Sequence, residues 1–265
     1  MKKISKRDLI LESIIKEYIR SKAPIGSSEL QSKMTLDMSP STIRIYFKKL
    51  SDEGALVQLH VSSGRVPTQN ALKDYWIKKI DISKPIVIQS VGKVQNSVKN
   101  YGLFCTIKKN KNSTFQELIK VKNRYLILAF DDEEVVLKYH SKVERFLEEL
   151  IGCSMNQLKN IALSVGLYEL YSKLEHISLQ NALLKEGEKE LYSIAEEFGD
   201  DTFVEKVMES RFYDSLDVGI YFDGFIPDGC VAIKQNALVK DDHAEMFCLG
   251  RIDSDFESFF NETKE

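Results

Sequence analysis

At 265 residues, with 43% hydrophobic and 29% charged residues, the chain has the composition of a folded protein with a sizeable core, which excludes a disordered or fibrous class. Its four cysteines lie far apart and do not group with histidines at zinc spacing, so we expect no metal site, no cofactor and a reducing cytoplasm. The longest apolar runs are too short to span a bilayer and no export signal is recognisable, so no membrane segment is expected.

The charge is unevenly distributed. Residues 1–80 hold 15 Lys and Arg against 8 Asp and Glu, a net charge of +7, whereas residues 81–265 hold 22 against 32, a net charge of −10. A basic segment joined to an acidic one favours a polyanionic partner for the first segment. Chance clustering remains open at this point, because net charge alone does not identify a partner.

Three helices are predicted in the first 52 residues. Apolar residues recur at helical spacing over residues 6–22, and Pro24 and Gly26 then end that helix. Ser27 is expected to cap a short second helix over residues 28–33. Ser39-Pro40 has the form of an N-cap followed by proline at the first helical position, so a third helix is predicted to begin there.

The third helix has two distinct faces. Its apolar residues Ile43, Phe47 and Leu50 share the face predicted to pack. Two short helices of this kind, the second with a polar start and a basic flank, are typical of a helix-turn-helix that enters the major groove. We expect Arg44 to contact base edges, because a guanidinium can bond guanine O6 and N7 together. The other predicted contacts to DNA are Ser39, Ser41 and Thr42 near the groove, with Lys48 and Lys49 at phosphates; Ile45 shares this face.

A wing is predicted after Gly54. Residues 55–60 are expected to form a strand, residues 62–64 a turn and residues 65–67 a return strand. The small tip residues Ser62, Ser63 and Gly64 would let the backbone approach phosphate, and Arg65 would supply charge to phosphate or the minor groove. His60 is interpreted as a structural strand residue.

These residues indicate a nucleic-acid-binding winged helix-turn-helix over residues 1–80. A protein-binding winged helix and RNA binding both remain open from the residues alone. The next predicted helix, residues 69–80, contains Tyr75 and Trp76. An aromatic pair there favours packing over base stacking.

The N-terminal motifs resemble those of the heat-inducible transcription repressor HrcA family. The resemblance rests on residues 39–44 (SPSTIR), 52–54 (DEG) and 63–68 (SGRVPT), and on residues 17–19 (EYI) and 24–27 (PIGS) before them. Where the family usually has Asn-Glu-Met after the arginine, this chain has Ile45-Tyr46-Phe47. The exact base preference therefore stays open.

The resemblance implies a dimeric repressor of heat-shock chaperone genes that binds double-stranded DNA at a long inverted repeat, the controlling inverted repeat of chaperone expression (CIRCE). It also implies support of its activity by the GroE chaperonin. A homodimer is expected as well from the two-fold symmetry of such an operator.

The acidic part is predicted to be α+β. A linker is expected at residues 81–90, strands at residues 125–130, 135–139, 218–222, 231–234 and 247–251, and a helical block between the two strand groups. Residues 92–99 stay unassigned. The resemblance implies a GAF-like α+β domain over residues 91–265, with residues 141–200 as an inserted helical dimerising segment. Its predicted dimerisation residues are Val143, Phe146, Leu147, Leu150, Leu184 and Leu191.

Two other functions compete with a DNA-binding repressor. An enzyme has little support, because no P-loop, GxGxxG, HExxH or GxSxG motif occurs. The run 241–245 (DDHAE) is interpreted as a solvated loop rather than a metal cluster. A solvent-exposed helix surface, and not a paired-carboxylate site, is expected for Glu186, Glu188 and Glu190. A repressor gated by a small ligand in its C-terminal domain remains open.

Overall fold

The computed structural model describes residues 5–34, 38–60, 64–109, 113–131, 133–199, 201–208, 213, 216–224, 226–240 and 242–264. The chain folds as two compact units. Unit 1 comprises Met1–Cys105, Lys185–Lys240 and Met246–Glu265, and unit 2 comprises Thr106–Leu184 and Asp241–Glu245. Each unit contains helices and strands, so the fold is mixed α+β, as predicted.

Unit 1 begins with three helices, α1 (Lys6–Ser21), α2 (Ser27–Lys33) and α3 (Pro40–Asp52). Ser5 caps α1, and Lys22 ends it with a left-handed φ of 56°. The predictions for α1 and α3 are confirmed, but the predicted cap of α2 is wrong. Gly26 is the N-cap, and its amide donates a hydrogen bond to Glu29 Oε2 at 3.4 Å. Glu29, the third residue of the helix, therefore satisfies the N-cap amide, and no side-chain hydroxyl caps α2.

A small sheet follows α3. Strands β1 (Leu56–Val57) and β2 (Val66–Pro67) pair antiparallel, with Val57 opposite Val66. The predicted first strand, residues 55–60, is thus correct in place but too long. The apolar faces of α1 to α3 and β1 meet in one core, which contains Ile10, Ile14, Ile25, Leu30, Met38, Ile43, Phe47, Leu50 and Leu56.

Helix α4 (Gln69–Lys79) carries the aromatic pair. Trp76 is fully buried, and its Nε1 donates a hydrogen bond to the Ile252 carbonyl at 2.6 Å. The Trp76 ring also meets Phe256 edge-on, with ring centroids 5.5 Å apart. Tyr75 is buried and donates to Glu257 Oε2 at 2.9 Å. The prediction that this pair packs is therefore confirmed.

A six-stranded sheet has the order β3-β10-β11-β4-β8, with β9 beside β10. Its strands are β3 (Ile86–Ile88), β4 (Phe104–Lys109), β8 (Ala182–Glu186), β9 (Gly219–Tyr221), β10 (Cys230–Val239) and β11 (Asp242–Arg251). β10 runs parallel to β3 and antiparallel to β9. Among the described residues, the helices of unit 1 after α4 are α5 (Val91–Tyr101), α9 (Glu188–Phe198), α10 (Asp201–Met208) and α11 (Phe256–Lys264).

Unit 2 has its own sheet and core. β5 (Glu117–Val121), β6 (Tyr125–Ala129) and β7 (Glu134–Lys138) form an antiparallel sheet, which confirms the two strands predicted there. Its helices are α6 (Ser141–Glu148), α7 (Met155–Ser164) and α8 (Tyr168–Gln180). The core includes Phe115, Leu126, Leu128, Val135, Leu137, Leu147, Leu158, Ala162, Leu170 and Leu174.

Two sequence interpretations of this half are corrected. Leu184 and Glu186 lie in β8 and not on a helix, because Gly187 has φ 92° and separates β8 from α9. A side chain at Gly187 would place its Cβ 2.0 Å from the Leu103 carbonyl oxygen, so only glycine fits there. Residues 242–245 begin β11 and are not a loop, while Asp241 lies outside the described residues. The unassigned stretch 92–99 belongs to α5.

Candidate nucleic-acid interface

The start of α3 is fixed by hydroxyl groups. Ser39 Oγ accepts a hydrogen bond from the Thr42 amide at 3.2 Å, as expected for the N-cap. The same Oγ lies 2.8 Å from Ser41 Oγ and 3.0 Å from Thr42 Oγ1. Because a helix N-terminus carries partial positive charge, this exposed cluster of hydroxyls is suited to a polar or anionic ligand.

Helix α3 separates its packing and free faces as predicted. Ile43 and Leu50 are fully buried and Phe47 nearly so. Exposed side chains cover the opposite side, and we call them the α3 surface: Ser41, Arg44, Ile45, Lys48 and Lys49. The packing face anchors α3 in the core, so the α3 surface is presented to solvent on a rigid element.

Arg44 is held in place from α2. Its Nε donates a hydrogen bond to Ser27 Oγ at 3.0 Å. Within the described part of the chain, the two terminal guanidinium nitrogens have no hydrogen bond, and Lys48 and Lys49 form no ion pair. These three cations are therefore free to meet an external anion. Sequence reasoning missed the positioning role of Ser27, because nothing in the sequence indicates a contact across 17 residues.

The predicted wing is tied to the helices by a third chain segment. Ile25 and Arg65 form an antiparallel bridge, in which each amide donates to the other residue's carbonyl at 2.9 Å. Gly64 permits this approach, because a Cβ there would lie 2.3 Å from the Ile25 carbonyl carbon. Ser62 and Ser63, the predicted tip, lie outside the described residues.

Arg65 is half-buried beside this bridge. Its Nε is buried and has no hydrogen-bond partner in the described ranges. His60 is exposed and does have a polar or electrostatic partner. The structure thus brings Arg65 and Gly64 next to Ile25, in the segment between α1 and α2, a proximity that the sequence pattern did not indicate.

The six predicted dimerisation residues occupy different places. Leu147 is fully buried in the unit 2 core, where Val143, Phe146 and Leu150 are partly buried against it. Leu191 is fully buried in the unit 1 core, and Leu184 lies in β8 with 8% of its surface exposed. Leu147 and Leu191 therefore fill the core of their own chain, and the dimerisation role of all six residues stays a prediction.

The acidic residues considered for metal binding do not converge. Where the structure describes the chain, no group of three or more His, Cys, Asp and Glu side chains is arranged to hold a metal ion. Asp242 instead pairs with Lys109, with Oδ2 2.6 Å from Nζ. Among the same residues, none of the helices combines the length and apolar character needed to cross a membrane.

Comparison with known proteins gives a consistent result. A family model described as the HrcA C-terminal domain matches residues 76–265. A heat-inducible transcription repressor HrcA of Helicobacter pylori strain J99 is 28% identical over 257 residues, which cover 97% of this chain and 94% of that protein. A repressor of the same name from Bifidobacterium animalis subsp. lactis is 38% identical over 85 residues, covering 32% of this chain and 23% of that protein.

The fold also has a counterpart among solved structures. A crystal structure titled as a hypothetical protein superimposes with a TM-score of 0.51 and 19% sequence identity. The match covers 99% of this chain and 97% of that chain.

Proposed function

Since this chain belongs to the HrcA family, we propose that it is a DNA-binding repressor of heat-shock chaperone genes that acts as a dimer on an inverted-repeat operator. The observation that carries the proposal is the α3 surface, where Arg44, Lys48 and Lys49 are exposed beside a hydroxyl-rich helix start. Relatives over nearly the whole chain are named as repressors, which favours this function over an enzyme.

Residues 1–80 serve in this proposal as a winged helix-turn-helix. α2 and α3 are the two helices of the motif, and the Ile25 bridge, β2 and β1 form the wing sheet. Arg44 reads a guanine with its two terminal nitrogens, since its Nε is engaged by Ser27. Lys48, Lys49 and the half-buried Arg65 contact phosphates and fix the position of the helix on the duplex.

The remaining residues act in this proposal as a GAF-like domain and a dimerising segment. An inverted repeat places two recognition helices about one DNA turn, or a multiple, apart, which requires two copies of the chain. The protein acts in the cytoplasm, and the GroE chaperonin supports its folding to the active form. Loss of operator binding after heating, with recovery only when chaperonin is added, would support the last point.

Unit 2 offers an exposed apolar face for the dimer contact. On the outer side of its sheet, Ile119 lies opposite Ile127, which lies opposite Val136. Ile119 is 37% exposed, Val136 is 41% exposed and Tyr125, on the same side, is 47% exposed. These side chains are available to a second copy without unfolding the core, whereas Leu147 is not.

The dimer contact is tested by Val136→Glu, with Val165→Glu at the C-cap of α7 as a control, since Val165 is 52% exposed in the same unit. A charge at the interface must lose its hydration on association, so the first variant is expected to sediment as a monomer and the second as a dimer. Dimers of both variants would exclude this face as the contact.

The DNA-binding proposal is tested by titrating the full chain against an inverted-repeat chaperone operator and a scrambled duplex at two salt concentrations. Arg44→Ala is expected to lose about 1–3 kcal/mol per half-site and to lose discrimination. Lys48→Ala is expected to weaken binding to both duplexes and to reduce the salt slope by about one per subunit.

Arg145→Ala is the matched control, because Arg145 is an exposed arginine on α6 of unit 2 and carries the same charge. It is expected to bind as the wild type does. Equal affinity of the wild type for both duplexes would contradict sequence-specific repression. It would mean that the protein recognises only the DNA phosphates. Preferential binding to single-stranded RNA would favour the RNA-binding alternative instead.

A further inference from the structure

The α3 surface contains one apolar side chain among polar ones. Ile45 is 70% exposed, the highest exposure among the large hydrophobic side chains that the structure describes. Its helical neighbours one turn away, Ser41, Lys48 and Lys49, are all exposed, as is Arg44 beside it. Ile45 therefore lies within a basic surface and contributes nothing to the core.

The surroundings of Ile45 restrict what can cover it. A protein partner that buried Ile45 would also have to desolvate Arg44, Lys48 and Lys49, which is costly unless each cation is paired. A DNA duplex supplies those partners through its phosphates. In the major groove, the group that offers an apolar contact is the C5 methyl of thymine.

We propose that Ile45 is a specificity-determining residue that contacts the C5 methyl of one thymine in each operator half-site. The inference rests on the proposed function of α3 as the recognition helix. Because Arg44 and Ile45 are consecutive and rise only about 1.5 Å along the helix, the thymine lies within one or two base pairs of the guanine bound by Arg44. The hydrogen bond from Arg44 Nε to Ser27 Oγ orients the Arg44 side chain beside Ile45.

The test replaces each thymine of the half-site, in turn and in both half-sites, with deoxyuridine, which removes only the methyl group. For the wild-type protein, replacement at one position is expected to reduce the affinity about fourfold per half-site, or roughly fifteenfold when both half-sites are changed. This is the loss expected when one buried methyl group is no longer removed from water on binding. The other thymines are expected to change affinity by less than about twofold.

Ile45→Ala is expected to weaken binding to the natural operator and to abolish the difference between thymine and deoxyuridine at that position. Ile77→Ala is the control, since Ile77 is a 57% exposed isoleucine on α4 and lies outside the α3 surface. It is expected to keep the full deoxyuridine effect. Circular dichroism of both variants establishes that they are folded, as expected for exposed positions.

Two outcomes would overturn the inference. One is a wild-type protein whose affinity changes equally at every thymine, and the other is an Ile45→Ala protein that keeps the wild-type deoxyuridine profile. Both are distinguishable from failure of the proposed function, in which the wild type would not prefer the inverted repeat to the scrambled duplex.

Discussion

Replacing Trp76 by phenylalanine tests how α4 is anchored in unit 1. Phenylalanine keeps an aromatic ring but removes the donor that bonds the Ile252 carbonyl at 2.6 Å. Leaving that buried acceptor unpaired costs about 1–3 kcal/mol. The smaller ring leaves roughly 40 Å³ unfilled, which adds about 1 kcal/mol. The free energy of unfolding is therefore expected to fall by about 2–4 kcal/mol.

Urea unfolding followed by far-ultraviolet circular dichroism measures this change, because the variant lacks the chain's single tryptophan and its fluorescence. With a slope of about 3 kcal/mol per molar, the midpoint should fall by roughly 1 M. Ile77→Ala, on the exposed side of the same helix, is expected to change stability by less than about 0.5 kcal/mol. A Trp76→Phe midpoint equal to that of this control would refute the argument.

Four further results are expected. Ser39→Ala should lower stability by about 1 kcal/mol in urea unfolding, because the Thr42 amide loses its cap, whereas Ser39→Asn should not. Gly64→Ala should expose the Arg65 amide to hydrogen exchange and weaken operator binding, since its Cβ would clash with Ile25; unchanged exchange would show that the bridge adapts. Lys159→Met should destabilise by about 3 kcal/mol, because Lys159 is buried and its Nζ forms an ion pair with Glu175 Oε2 at 2.9 Å. Lys159→Met combined with Glu175→Leu should recover most of the loss. Burial raises the pKa of Cys230 to about 12, so its thiolate fraction at pH 8 is about a thousandfold below that of an exposed cysteine. In a Cys153→Ser variant, which keeps only the buried cysteines, a thiol reagent should therefore label the folded protein far more slowly than the unfolded protein. Equal labelling rates of the folded and unfolded protein would contradict this.

The helices of the N-terminal part could be predicted because their signals are local. α1 and α3 have apolar residues at helical spacing and polar caps, and Ser39-Pro40 marks the start of α3 within one residue. The split between Ile43, Phe47 and Leu50 and the exposed cations follows from the same periodicity. The candidate DNA-contacting face was therefore readable from the sequence, although its contact with DNA stays a prediction.

The strands of the six-stranded sheet were harder to predict. β10 is buried at its first six positions, so it lacks the alternation that marks a half-exposed strand, and only residues 231–234 were identified. Residues 242–245 are charged enough to suggest a loop, yet pairing within a sheet makes them the start of β11. The domain boundaries proposed at residues 80 and 91 likewise stay a prediction.

The sequence alone determined the N-terminal helices and the basic character of residues 1–80, because periodicity, helix caps and charge are properties of short segments. The type of protein was indicated by the short motifs that resemble the HrcA family. Tertiary structure decided the contacts between distant residues. Ser27 orients Arg44, Ile25 pairs with Arg65, and Trp76 bonds the Ile252 carbonyl. Such contacts depend on which faces of the helices and strands pack together in the folded chain, and the spacing of residues along the sequence does not predict them.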